Sequence, residues 1–586
     1  MDDRCLLYVA PPDRGTIQLE HTVPELLDRG CQIPQAAICQ WQQQRWQCLA
    51  FANLRRAAEE LALGLRAVGL QPRDRIGICL PNGLNWVLAD LGSLLAGLVT
   101  VPIGPDSIDA TTADADLQAI VTDADEGSLP PVPLTIATDT EGLTAASAQS
   151  QAAHGRGMPS HTTIESLRQR GRQQYSPQAA ADLKQALQPE ALATIVYTTG
   201  PDGRPRGVML SHRSLTGNIL AAFSTMADLR PERLETALTF LPLHHIFART
   251  FLYGHLGYGH RIYLSSPRRV MQHLRAVEPT IFITVPRLLE KIHERLQPSA
   301  PSPQGSPHPL AWLWKLAHRH PRAGWWAGPI VRTAFRRVRL SFGRCLRHLV
   351  CGGAPLQPET AVFFANIGLP ISQGYGLTES SSVLTYARDR TSSPSSVGRP
   401  IPGVEIRLSR EREVLAKSLY AMEGYYHRPE ATAAAIDRYG WLHTGDLGSF
   451  SDDGSLVILG YKKELFKLST GKYVAPKPIE AALVRSELID QALVVGPGQK
   501  FCSALIFPSL SALAHLAPVG PEPLDQPHLR ARYQAVVDRV NDTLPRWSTI
   551  KRFSLLLPAP ENLPRQQLYE RYRADISALY DLVQIA

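Results

Sequence analysis

The alternation of helical and strand periodicity limits this fold more than any other feature of the sequence. Leu54–Leu70 places apolar residues at helical spacing, Arg75–Leu80 reads as a strand, and Trp86–Leu98 is helical again. The rhythm returns after Ala191, with strands expected at Ala193–Tyr197, Thr236–Leu241, Arg261–Leu264 and Ile281–Val285. Strands separated by helices are joined by crossovers, which build parallel sheets covered by helices. A second α/β segment runs from about 345 to 395, and residues 397–460 are rich in strands and turns. An α+β unit follows, with a helix at Pro478–Ser486, strands at Ala492–Val495 and Ser503–Phe507, and two late helices. The expectation is an α/β protein. Residues 1–460 form a large N-terminal domain of two α/β sheet subdomains plus a small β-rich subdomain. Residues 461–586 form a small α+β C-terminal domain.

Several classes are disfavoured. The 586 residues carry 61 basic and 53 acidic side chains, a net charge of +8 with no concentrated stripe, so no nucleic-acid polymer is expected as a partner. The eight cysteines show no Cys-x-x-Cys pair or finger-like spacing, which argues against zinc. Cys345 and Cys351 read as buried free thiols, and a reducing, cytoplasmic setting is expected. No secretory signal is visible at Met1-Asp2-Asp3. The longest apolar stretch, Trp86 to Ile103, is interrupted by Asp90, Gly92 and Gly97, and so reads as a buried helix and strand. Residues 105–190 hold few large apolar side chains and read as a loosely packed surface region. Residues 298–309 form a proline-rich loop. Beyond it, four of the nine tryptophans (Trp312, Trp314, Trp325 and Trp326) mix with Lys315, Arg319, Arg322, Arg332, Arg336, Arg337 and Arg339. Residues 312–339 suit either a peripheral membrane contact or a packed helical hairpin with solvated arginines.

The most informative segment runs from Ala193 to His212. An apolar strand enters a loop with Gly200, Gly203 and Gly207, and a helix is expected to leave near Ser211, a suitable N-cap. Strand, glycine-rich loop and helix is a layout that cradles phosphates with backbone N–H groups. The loop resembles the phosphate loop of the adenylate-forming ligases, whose usual pattern is Tyr-Thr-Ser-Gly-Thr-Thr-Gly-x-Pro-Lys-Gly-Val. Further matches follow in that family's order. Leu241-Pro-Leu-His-His-Ile-Phe-Ala-Arg249 resembles its acyl-pocket histidine motif. Thr284-Val-Pro-Arg287 and Cys351-Gly-Gly-Ala-Pro355 resemble segments lining the acyl and adenine sites. Gln373-Gly-Tyr-Gly-Leu-Thr-Glu379 is an intact copy of its most diagnostic motif. Glu423-Gly-Tyr-Tyr-His-Arg-Pro-Glu430 and Trp441-Leu-His-Thr-Gly-Asp446 also match. The run from Lys463 to Pro476 is similar to the long-chain fatty acyl branch.

The resemblance implies two half-reactions. A fatty acid carboxylate attacks the α-phosphate of ATP to give an acyl-adenylate and pyrophosphate. The thiol of coenzyme A, or of an acyl-carrier-protein pantetheine arm, then displaces AMP. It also implies roles. Thr198, Thr199, Gly200, Gly203, Arg206 and Gly207 form the phosphate loop. Thr378 touches the α-phosphate, and Glu379 holds Mg²⁺. Tyr375, between Gly374 and Gly376, sandwiches the adenine with the Gly353, Ala354 and Pro355 backbone. Asp446 receives the ribose hydroxyls, and His245 lies near the acyl carboxylate. Lys463, beside Tyr461, is the hinge of a mobile small domain. The loop around Gly471 faces the thiol tunnel. Read as residues alone, Glu379 could cap a helix and His255, His260 and His273 read as structural.

Four departures bear on activity. Pro201-Asp202 stands where the family has Thr-Thr. That removes two hydroxyl donors, each worth about 1.5–3 kcal/mol to a charged acceptor. It also adds an anion beside phosphate, where like charges about 4 Å apart at an effective dielectric near 20 repel by roughly 4 kcal/mol. Arg206 replaces the loop lysine, and Tyr461 replaces an arginine. The family's terminal lysine has no counterpart: no lysine follows Lys551, and Arg565 is the nearest cation. The chain has only 11 lysines among its 61 basic residues, yet five of them fall between Lys462 and Lys477. Two readings follow: a ligase with altered adenylation parts, or a degenerate homologue that binds acyl group or nucleotide without turnover.

Overall fold

The computed structural model describes residues 15–123, 132–138, 160–200, 205–226, 228–229, 234–296, 314, 316–318, 327–387, 393–462, 465–486, 488–509, 513, 526–557 and 565–581. The chain divides into two compact units. One comprises residues up to Arg410, Val414–Thr444 and Ser449–Ile458. The other comprises Glu411–Glu413, Gly445–Gly448 and Leu459 onward.

The first unit is built on two sheets. Its strands in chain order begin with β1 (Ala37–Gln42), β2 (Arg45–Ala50), β3 (Arg75–Cys79), β4 (Val99–Pro102) and β5 (Ala119–Thr122). Next come β6 (Leu134–Ala137), β7 (His161–Thr163), β8 (Leu192–Thr199), β9 (Pro205–Ser211) and β10 (Thr236–Thr239). They continue with β11 (Arg261–Leu264), β12 (Ile281–Thr284), β13 (His348–Cys351), β14 (Ile371–Tyr375) and β15 (Thr385–Tyr386). Last are β16 (Ser396–Pro400), β17 (Val404–Leu408), β18 (Glu413–Ser418), β19 (Gly424–Tyr425), β20 (Leu442–Phe450) and β21 (Leu456–Tyr461). The eight-stranded sheet runs β19-β9-β8-β4-β3-β5-β6-β7, and the 13-stranded sheet runs β17-β18-β20-β21-β16-β15-β14-β13-β12-β10-β11-β1-β2. Strands β10 to β14 and β3 to β8 pair in parallel, as the helical crossovers require. The β-rich stretch at 397–460 extends the second sheet with antiparallel strands.

The helix Leu84–Leu95 accounts for the long apolar run: from Trp86 to Leu95 every residue is buried, Asp90 included. A buried carboxylate needs a partner, and Arg249 of the helix Ile246–Gly257 supplies it. Arg249 pairs with both Asp90 oxygens. It also donates to Thr194 Oγ1 at 2.7 Å, Thr100 Oγ1 at 2.6 Å and the Tyr253 hydroxyl at 2.6 Å. Tyr253 in turn donates to Asp90 Oδ2 at 2.6 Å. The network joins two helices to adjacent strands β4 and β8.

Three expectations are corrected. Residues 105–190 are not loosely packed where described: they supply β5, β6 and β7, and the helix Ile164–Gln174 packs on the helix Phe51–Ala67. Leu134, Ile136, Ile164 and Leu167 are buried in the main core there, and the buried Glu60 carboxylate accepts from Arg168 at 2.9 Å and Arg172 at 3.1 Å. Cys39 and Cys48 form a disulfide, against the expectation of a reducing setting. The two-residue turn Gln43-Gln44, with φ of 48° and 62°, sets a hairpin register that puts these cysteines directly opposite. Cys351 is buried as expected, but Cys345 lies exposed in the turn before β13.

The second unit has a three-stranded sheet, β24 (Ile489–Val495), β25 (Cys502–Pro508) and β26 (Ile550–Leu555), and a small hairpin of β22 (Phe466–Lys467) and β23 (Tyr473–Val474). The helices Pro476–Val484 and Pro527–Asn541 pack Ile479, Leu483, Val536 and Val537 into its core. No helix among the described residues is long and apolar enough to cross a membrane.

Histidines are buried in neutral form. His212 Nδ1 accepts from the Val23 amide at 3.3 Å, and His255 Nδ1 meets His260 Nδ1 at 2.9 Å. Burial lowers the pKa of both His212 and His255 to about 3. A folded pKa below the unfolded value means that their stabilising share is full above about pH 6.5 and is lost as pH falls. At pH 5 each costs roughly 2 kcal/mol. The melting temperature should therefore drop between pH 7.5 and 5, with a shallower slope in His255→Phe. A flat profile in the wild-type protein contradicts this.

Candidate active site

Parallel strands deliver their carboxyl ends to one edge of a sheet, and that edge is where α/β proteins bind ligands. In the 13-stranded sheet, β10, β12, β13 and β14 are neighbours. His245 follows β10, Val285 follows β12, the Gly353–Pro355 turn follows β13, and Tyr375 closes β14. Segments up to 130 residues apart in sequence therefore meet at one edge. Gly353, Ala354 and Pro355 are exposed there. His245 is the N-cap of the helix Ile246–Gly257, with the His244 ring tilted beside its own at 4.2 Å. Partial desolvation lowers the His245 pKa.

The turn after β14 holds Thr378 and Glu379 in a single 3₁₀ turn, Thr378–Ser380. Ser380 Oγ accepts from the Leu377 amide at 3.0 Å and donates to the Leu377 carbonyl at 2.9 Å. Gly376 is required by close approach: a Cβ there would lie 1.7 Å from the Ser382 carbonyl oxygen. Asn218, wholly buried on the helix His212–Ser224, clamps the turn from outside. Its amide donates to the Val383 carbonyl at 2.7 Å and the Ser380 carbonyl at 3.3 Å, and its oxygen accepts from the Val383 amide at 3.0 Å. Sequence reasoning missed Asn218. Its signal was a lone carboxamide between Leu215 and the apolar run Ile219–Phe223 of that helix.

Glu379 is tied to the segment Met422–Tyr425. Its carbonyl accepts from the Met422 amide at 2.8 Å, and its Oε1 accepts from the Tyr425 hydroxyl at 2.8 Å. Burial, with the Glu379 carboxylate beside it, pushes the Tyr425 phenol pKa up.

The phosphate loop differs from its expected layout. Thr198 and Thr199 end β8, but the chain then returns as a strand, β9, which pairs antiparallel with β8 from Pro205 to Ser211. The loop is thus a hairpin connection, and the helix begins only at His212, with Ser211 capping it through Ser214 N. Helix-terminus anion binding does not apply to it. Gly200 and Gly207 flank the hairpin, and Gly207 leaves room for Ile195 and the Tyr197 ring. Arg206, half-buried, sits opposite Thr198 and 5.7 Å over the Tyr425 ring. Pro201, Asp202 and Gly203 lie outside the described residues.

Asp446, on β20, is buried, and Tyr461, at the end of β21, lies under Lys477 Nζ at 5.2 Å. Gly471 turns the β22–β23 hairpin with φ 84°. Lys462 is bound by Glu413 at 2.8 Å and Glu411 at 3.0 Å. Lys463 lies outside the described residues. Arg565, the nearest cation to the missing tail lysine, is engaged inside this unit: it pairs with Glu480 Oε1 at 2.8 Å and donates to the Val494 carbonyl. Trp314 stacks on His293 at 4.9 Å and packs on Phe363 at 5.1 Å, so it faces protein. Arg332, Arg336 and Arg337 are exposed. Trp312, Lys315, Arg319, Arg322, Trp325 and Trp326 lie outside the described residues.

Residues 31–426 match the family described as AMP-binding enzyme, and residues 463–584 match the AMP-binding enzyme C-terminal domain. The chain belongs to the AMP-binding enzyme family. It is 29% identical over 571 residues to the long-chain-fatty-acid–CoA ligase FadD15 of Mycobacterium bovis, covering 91% of this chain and 92% of that protein. It is 29% identical over 540 residues to human long-chain-fatty-acid–CoA ligase 1, covering 85% and 75%. The adenylation domain of a Mycobacterium chelonae carboxylate reductase superposes with a TM-score of 0.67 at 21% identity, covering 96% of this chain and 91% of that one. A Mycobacterium tuberculosis fatty acyl CoA synthetase gives 0.59 at 20%, covering 94% and 99%. These structural likenesses show the fold.

Asn218→Leu strands the Val383 amide and two carbonyls. At roughly 1–3 kcal/mol for a buried polar group left unpaired, the variant should lose about 3 kcal/mol in urea unfolding. A loss below about 0.5 kcal/mol contradicts the clamp.

Proposed function

We propose that the chain is an AMP-forming acid–thiol ligase that activates a long-chain fatty acid with ATP and passes the acyl group to coenzyme A. The observation that carries this is the convergence of His245, Gly353–Pro355, Tyr375 and the Thr378–Glu379 turn at the carboxyl edge of one parallel sheet, in a chain that matches both family domains. In the first step a carboxylate oxygen of the fatty acid bonds to the α-phosphorus of ATP and pyrophosphate leaves. In the second, the thiol sulfur bonds to the acyl carbon and AMP leaves.

The residues divide this work. Thr198, Thr199, Gly200, Gly203, Arg206 and Gly207 hold the phosphates. Tyr375 and the Gly353–Pro355 backbone bracket the adenine, and Gly374 and Gly376 let that turn close. Thr378 donates to the α-phosphate. His245, whose pKa desolvation lowers, sits beside the fatty carboxylate. Glu379 is a single hard oxygen donor. That donor fits Mg²⁺, which is commonly held by one or two carboxylates together with substrate phosphates and supplies positive charge to the phosphate oxygens. Asp446 takes the ribose, and Tyr461 borders it. Residues 461–586 move as a small domain about Lys463 between the steps, bringing the Gly471 loop to the thiol.

Engagement of Arg565 by Glu480 favours one rival, a protein that binds ATP and acyl group without turnover, because the cation nearest the missing lysine is already paired. ATP–pyrophosphate exchange with palmitate, beside ATP calorimetry, separates the two. Exchange is expected, and it should fall at least ~100-fold in Glu379→Gln, the scale of losing one electrostatic stabiliser. ATP binding without exchange overturns the ligase reading for that substrate.

A further inference from the structure

Tyr425 stands out because it is buried, carries a hydroxyl, and spends that hydroxyl on Glu379. Its place is fixed on every side. Its amide donates to Thr432 Oγ1 at 2.9 Å, and its residue pairs with Val208 across β19 and β9. The flanking amides of Glu423 and Tyr426 donate to the carbonyls of Met209 and Gly207. In that register Arg206 is the diagonal neighbour two residues from Val208 on the same face. The pairing therefore carries the Arg206 guanidinium over the Tyr425 ring. Tyr426 points the other way, to Asp116 at 3.5 Å.

We propose that Tyr425 is the positioning residue for Glu379: its hydroxyl fixes the carboxylate that takes the divalent cation, and its ring seats Arg206 of the phosphate loop. The inference rests on the ligase reading above for the identity of the cation and nucleotide. A carboxylate on two methylenes has several rotamers, and a hydrogen bond to one oxygen selects among them. The same residue sets the distance between the cation-holding carboxylate and the loop arginine, so the two charges that meet the nucleotide phosphates share one support. The lysine-to-arginine exchange at 206 is compatible with this arrangement, since the guanidinium, 5.7 Å from the ring centroid, lies within cation–π range.

The test uses the full chain with Mn²⁺ and α,β-methylene-ATP. Bound Mn²⁺ is read by loss of the free-ion electron paramagnetic resonance signal, and melting temperature is recorded for each variant. Tyr425→Phe keeps the ring and removes only the hydroxyl. Apparent Mn²⁺ affinity should weaken roughly ten-fold or more, the scale of one hydrogen bond to a charged group, with the melting temperature changed little. Tyr426→Phe should leave Mn²⁺ affinity as in the wild type. The Mg²⁺ concentration for half-maximal pyrophosphate exchange should rise in parallel for Tyr425→Phe alone. Unchanged Mn²⁺ affinity in Tyr425→Phe overturns the proposal. An equal loss in Tyr426→Phe also overturns it, because the effect is then general to the strand. Wild-type protein that binds Mn²⁺ and nucleotide but shows no exchange fails the ligase reading alone, while the Tyr425 comparison still stands on the binding data.

Discussion

The pairing of Arg249 with Asp90 is the interaction on which the first unit depends. Both groups are wholly buried. Removing either leaves a naked charge in the core, at about 3–5 kcal/mol. The pair is satisfied only because Thr100, Thr194 and Tyr253 complete the guanidinium's hydrogen bonds. Thr194 lies on β8, which leads into the phosphate hairpin, and Arg249 lies one turn beyond His245. The same five side chains therefore fix the strand that runs to Gly200 and the helix whose N-cap is His245.

Around that anchor, the reactive turn is held by contacts from remote parts of the chain. Asn218 grips its backbone, Tyr425 grips its carboxylate, and Gly376 lets it close on Ser382. The Asn218 bonds also pair buried backbone groups that would otherwise lack partners. The turn is thus set before any ligand arrives, and electrostatic stabilisation works best from groups that need no reorganisation.

Much of this was legible in the sequence. Periodicity placed β3, β8, β10, β11 and β12 and the buried helix at Trp86. The ordered motifs named the strand-end segments that the sheet gathers. What stayed hidden shares one physical character. Asn218 reaches residues more than 160 positions away, and Tyr425 reaches back 46. Such side-chain bonds leave no periodic trace. The second strand of the phosphate hairpin was missed because Pro205 to Ser211 follows glycines and reads as loop, although it is stabilised by pairing on both sides, to β8 and β19. The packing of residues 105–190 was missed because its large apolar residues are few and scattered, although Leu134, Ile136, Ile164 and Leu167 all reach the core. The disulfide was missed because only the hairpin register brings Cys39 and Cys48 together.

The second unit raises the sharpest chemical question. It keeps the lysine-rich segment from Lys462 to Lys477, yet Arg565 is held by Glu480 and no lysine follows Lys551. An acyl-adenylate route leaves a mark that does not depend on which cation assists it: one carboxylate oxygen of the fatty acid departs with AMP. Palmitate labelled with ¹⁸O at both carboxyl oxygens, incubated with ATP, Mg²⁺, coenzyme A and the full chain, should yield AMP carrying one ¹⁸O by mass spectrometry. Unlabelled AMP, or no AMP despite bound ATP, contradicts the account.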